Sequence, residues 1–172
     1  MKLFLKLAAV AAAMVVSSPA LAQSSASATT TGTTTIIQPV TVSQSSPLSF
    51  GTIVRPGTGS STISIGTGAD TVSTTGTAVA LRGTTSRARY TVSGEGGETI
   101  VVSMPTSFNL TKSGSPDIPV TLTRNPAGNL TLSNAAGATG TAALDIGGSF
   151  TVSSTTPTGD YTGSFTVTVS YN

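Results

Sequence analysis

The side chains able to do chemistry are few, and their spacing narrows what that chemistry is. Glu95 and Glu98 bracket Gly96 and Gly97. Two carboxylates at such a turn are the raw material of an acid/base pair or a calcium loop, but calcium takes at least about six oxygens and no Asp-rich loop accompanies them. The pair therefore reads as a solvated hairpin tip, and Asp145, beside Gly147 and Gly148, reads as a turn on the same grounds. Arg82, Arg87 and Arg89 gather three cations in a short stretch. Arg87 and Arg89 share one face of an extended segment, which favours a solvated face over a ligand patch. Lys112 is the one lysine beyond Lys6, and nothing in the sequence places beside it the Asn and carboxylate that an internal crosslink needs. The Asn109 and Asn129 glycosylation-type triplets are chance products of a Thr-rich chain. Histidine and cysteine are absent, so zinc, iron–sulfur and haem ligand sets and His-activated nucleophiles cannot be built. The expectation is a protein that is not an enzyme and carries no cofactor or metal.

What remains is material for strands and turns. The chain holds 33 Thr, 25 Ser and 19 Gly, with only 8% charged residues, against roughly 25% in an average soluble domain. Residues 1–22 have the three parts of a secretory signal: Lys2 and Lys6, a short apolar run, and the small-residue site Ala20-Leu21-Ala22. Cleavage there leaves six basic and six acidic residues, so neither nucleic acid nor an anionic membrane is implied as a partner, and no membrane span follows the signal. The expected organisation is a signal at 1–22, an N-terminal extension at 23–35, and one domain at 36–172.

Within that domain, short alternating runs are separated by turn residues. At 161–171, Tyr161, Gly163, Phe165, Val167, Val169 and Tyr171 fall on one face, with Thr and Ser on the other. Strict period two marks a half-buried strand. Further strands are expected at 48–54, 62–65, 78–81, 88–92, 99–104, 108–111, 120–123, 130–132, 143–146 and 150–152. This spacing predicts an all-β sandwich, with a closed barrel as the lesser alternative.

The extension has no charge and no large apolar residue before Ile36. Composition alone suggests a solvated linker or a mucin-like tail. It also alternates, with Ala26, Ala28, Thr30, Gly32, Thr34 and Ile36 on one side, and about 12 residues extended at roughly 3.3 Å each reach about 40 Å.

The C-terminal strand, with Tyr171 next to last, Val169, Val167 and Phe165 at every second position and Gly159 fourteenth from the end, resembles the C-terminal signature of chaperone-usher pilins. The run 159–172 is similar to the ending of spore-coat-U-type subunits of archaic pili. Leu48-Ser-Phe-Gly-Thr-Ile-Val54 resembles their opening strand, and that of a related uncharacterised family of Thr/Ala-rich secreted bacterial proteins. The chain departs from both pilin groups in lacking their common cysteine pair.

The resemblance implies a six-stranded, immunoglobulin-like β-sandwich that is incomplete, missing its final strand, with an extended N-terminal donor segment. Gly159, Tyr161, Phe165, Val167, Val169 and Tyr171 would form the surface bound first by a periplasmic chaperone and later by another subunit. Ala26, Ala28, Thr30, Gly32, Thr34 and Ile36 would be the donated residues, their small side chains suiting a shallow groove. The partners implied are further copies of the chain, the chaperone and an outer-membrane usher. The expected product is an extracellular filament, exported through the periplasm, for adhesion or biofilm formation. The alternative is a monomeric secreted binding module with a complete sandwich.

Overall fold

The computed structural model describes residues 25–81 and 83–172. The signal expected at 1–22 and the side chain of Arg82 lie outside the described residues. Two units are distinguished, Met1–Thr35 and Ile36–Asn172. In the first, residues 25–35 are exposed and belong to no strand.

The second unit is an all-β sandwich. Its strands are β1 (Thr41–Ser46), β2 (Ile53–Val54), β3 (Ser60–Ile65), β4 (Val72–Thr75), β5 (Val79–Ala80), β6 (Ala88–Glu95), β7 (Thr99–Ser103), β8 (Ser107–Leu110), β9 (Ile118–Asn125), β10 (Leu130–Thr131), β11 (Thr139–Ser153) and β12 (Thr168–Tyr171). Their number exceeds the six that the resemblance implied. One sheet runs β1-β6-β11-β3-β4, with β9 on the other edge of β11 and β8 beyond it. A second sheet runs β10-β7-β12, and β2 and β5 form a short ribbon. Among the described residues no helix is long and apolar enough to cross a membrane.

Alternation decides which face each strand buries. In β9, Ile118, Val120 and Leu122 point inward while Pro119, Thr121 and Thr123 face solvent. Ser61, Ile63 and Ile65 do the same in β3. Ile63, Ile118, Val120 and Leu122 make one core with Val92, Ile100, Leu132, Leu144 and Ile146, and burying each such aliphatic side chain contributes about 1.5–3 kcal/mol.

The longest strand, β11, corrects the expectation of two strands separated by a turn at Gly147 and Gly148. It runs unbroken, and Asp145 lies within it rather than at a turn. The first half pairs with β6 and the second with β3, while Asp145 to Ser149 also pair with β9. Both glycines are buried. A Cβ on Gly147 would collide with the Ile65 carbonyl, and one on Gly148 would come within 3.0 Å of Val120 and 3.2 Å of Phe50. These glycines serve close approach of neighbouring chain, the second use of glycine in strands.

Two further sequence expectations change. Arg87 and Arg89 are not a solvated face. Arg87 Nε sits 3.0 Å from Asp145 Oδ1, and Arg89 reaches Asp70 at 2.6 Å. Glu95 is not a solvated tip: it is 5% exposed. Its carboxylate accepts the backbone N–H of Gln38 at 3.3 Å and that of Gly137. Two amide donors replace the water that the carboxylate gives up on burial.

Candidate functional site

The last course of chain is extended from Tyr161 to Tyr171 but is paired along only part of its length. Thr168, Val169, Ser170 and Tyr171 of β12 ladder with Ser103 to Ile100 of β7. Farther back, Thr162 exchanges two backbone hydrogen bonds with Thr111, at 2.8 and 3.0 Å. Residues 163–167 lie in no ladder, although Phe165 packs against Phe108 with ring centroids 5.2 Å apart. Every one of these pairings uses the same side of the chain. Among the described residues, no strand pairs the opposite edge of β12.

That edge faces β1, which is itself paired only to β6. The two edges belong to different sheets and leave the sandwich open between them. Tyr161, Phe165, Val167, Val169 and Tyr171 all point toward the core and all stay half-buried. Opposite them, Val40, Leu48, Phe50 and Ile53 are also half-buried against the core. Val42 lies across from the fully buried Val92, yet remains 38% exposed because nothing covers it. The result is a groove of partly covered apolar side chains beside unpaired backbone. It widens into a cavity of about 520 Å³ bounded by Leu48, Phe50, Ile53, Leu110, Ile118, Phe150 and Tyr161.

The two ends of the groove are built differently. At one end Tyr171 closes it: the hydroxyl donates to the Gln38 carbonyl at 2.6 Å and accepts from the Glu95 N–H at 2.7 Å. Gly94 admits the ring, since a Cβ there would collide with the Tyr171 hydroxyl. At the wide end Arg55 donates to the Thr156 carbonyl at 2.6 Å, and Lys112 Nζ donates to the Thr158 carbonyl at 2.6 Å. Gly159 sits beneath Lys112 with φ +133°, and a Cβ on it would fall 2.6 Å from Lys112 Cε. The backbone angle calls for glycine there, whereas the Lys112 side chain could swing aside. Tyr161 Oη donates to Pro157 at 3.0 Å, fixing the turn into the last strand.

The structure thus brings Tyr161, Phe165, Val167, Val169 and Tyr171 together on one wall, with Gly159 at its start. Ala26, Ala28, Thr30, Gly32 and Thr34 are exposed and form no ladder; Ile36, the first residue of the second unit, is 89% exposed. Sequence reasoning missed Val42 and Gln38 and took Glu95 for a solvated hairpin tip. Only the Val40–Val42 spacing carried a signal for any of them. Among the described residues no cluster of His, Cys, Asp and Glu could hold a metal ion.

Fold and edge define the class as an all-β sandwich whose terminal strand is paired on one side, among the described residues. The chain belongs to the family described as a domain of unknown function (DUF4402), which matches residues 40–171. No curated protein and no solved structure matches it.

Proposed function

We propose that the chain is the structural subunit of a bacterial surface filament and polymerises by strand donation, for adhesion or biofilm formation. One observation carries the reading: β12 is paired on a single side, beside inward-facing apolar residues that stay half-uncovered. An unpaired edge over exposed apolar side chains is an invitation to a further strand. A strand laid there supplies ladder hydrogen bonds to 163–167 and covers Val42, Phe50, Phe165 and Val167, which is β-augmentation. The donor is the run 24–36 of another copy. A periplasmic chaperone holds the groove until an outer-membrane usher exchanges it for the donor, and the product leaves the cell as a filament. A contact of this kind is head-to-tail and does not close on itself.

The test compares the purified chain with a copy carrying residues 24–36 grafted after Asn172. Thin fibres or aggregates from the former and a stable monomer from the latter are expected by negative-stain microscopy and size-exclusion chromatography. A cooperative, stable monomer unaffected by the graft overturns strand donation and leaves a self-contained secreted binding module.

A further inference from the structure

Among the described residues, the large apolar side chains left exposed outside the groove fall into two groups, and the hydrogen-bond register separates those groups by most of the length of the domain. The chain from Gln38 to Val54 runs antiparallel to the chain from Glu95 back to Val79. Gln38 meets Glu95, Thr41 meets Ser93, Ser49 meets Ser86, and Val54 meets Val79. Such a ribbon spans at most roughly 50 Å at about 3.3 Å per residue. Ile36 and Ile37, 89% and 41% exposed, stand at one end. Val54, Val79 and Leu81, each about half exposed, stand at the other. Val54 and Val79 are directly opposed across β2 and β5. Leu81 lies two residues beyond Val79 and so on the same face. Ala78, on the other face, is buried, so this face is the outer one.

We infer that these two patches are the halves of a contact between successive copies: Ile36 of one subunit ends the donor run in the groove of the next, and Ile37, one residue on, seats against that neighbour's Val54, Val79 and Leu81. The inference rests on the strand-donation reading, which brings the patches together by size. In the donor run Ile36 is the one large residue, and the Arg55 end of the groove widens into a cavity, whereas Tyr171 closes the opposite end. The donor therefore leaves the groove where Ile53 lines its wall, and Val54 stands on the outside of that same strand. Ile37 precedes Gln38, whose N–H and C=O are both bonded within its own domain. The contact is thus one between rigid bodies, not between a body and a tether. Strand donation holds the copies together, and the patches fix the angle between them.

The test is charge substitution in the full chain, with fibre yield and persistence length read from electron micrographs. Val79→Lys combined with Ile37→Lys is expected to leave fibre yield unchanged and shorten the persistence length at least three-fold. Val79→Lys combined with Ile37→Glu is expected to restore it, a result that loss of surface apolarity alone cannot give. Stiffness unchanged in the doubly positive variant, or not restored in the opposite-charge pair, overturns the contact and leaves strand donation standing. Absence of fibres from the unsubstituted chain overturns both.

Discussion

The sandwich has two openings, and they are furnished in opposite ways. Between β1 and the last strand the inward-facing residues are Val42, Leu48, Phe50, Phe165 and Val167, and the backbone of 163–167 is unpaired. Between β7 and β9 lies a second hollow of about 420 Å³, lined by Val101, Val102, Met104, Pro105, Leu122 and Arg124 among others. Arg124 occupies the inward register after Ile118, Val120 and Leu122, and one of its terminal nitrogens is buried without a protein partner. An inward charge makes an opening a poor template for another strand, because any apolar strand laid there would leave the guanidinium further desolvated. The chain carries this device at one opening and omits it at the other. The contrast is between an opening that carries an inward charge and one lined by apolar side chains.

Moving the device should break the contrast. Val167→Arg places a cation in the apolar groove; its stem can lie along the wall with the head in water, so the fold should lose only about 1 kcal/mol. Fibres should vanish nonetheless, and fibres at normal yield would show that 163–167 is not where strands are added. Tyr171→Phe tests the closed end of the groove. It leaves the Gln38 carbonyl and the Glu95 N–H without their shared partner, at an expected cost of about 1–3 kcal/mol by chemical denaturation.

Arg124→Met sharpens the comparison from the other side. Replacing a poorly partnered cation by an apolar chain of similar length should leave stability unchanged or raise it by about 1 kcal/mol. Light scattering should nevertheless report more aggregation through the β7–β9 opening, and unaltered scattering would deny Arg124 its guarding role. The smallest effect concerns the inward face of β1, two residues beyond Val42, where Gln44 Nε2 donates to the Tyr90 hydroxyl at 3.3 Å. Burial raises Tyr90 above its ordinary value of 10.0. A group raised in the fold favours the folded state fully below its unfolded value, and that contribution is lost as pH climbs through the raised one. Stability should therefore fall above pH 10, and less steeply in Tyr90→Phe.

Much of this architecture was legible because it is local. The alternation of Ile118, Val120 and Leu122 names a strand and its buried face without any knowledge of neighbours; that of Phe165, Val167 and Val169 names the inward face, although only Thr168–Tyr171 of the run expected as a strand forms one. The features that were misread depend on residues distant in the chain. Gly147 and Gly148 look alike in sequence whether they turn a chain or let Ile65 and Val120 approach it. Glu95 owes its burial to amides 57 and 42 residues away. Arg87 and Arg89 meet an Asp70 held in place by the β3–β4 connection. β1, written Thr-Val-Ser-Gln-Ser-Ser, has too few apolar residues to announce itself, and becomes a strand because β6 offers it an edge.

The place of β11 in the chain has a bearing on timing. Its partners β3, β6 and β9 all precede it, and it joins them into one sheet. As the chain emerges from its N-terminus, β6 cannot find its central neighbour until residues 139–146 have appeared, β9 until 145–149, and β3 until 148–153. Contacts this distant in sequence form slowly. The earlier strands must therefore wait with their apolar faces uncovered, a period of vulnerability to aggregation set by strand order and independent of how stable the finished domain is.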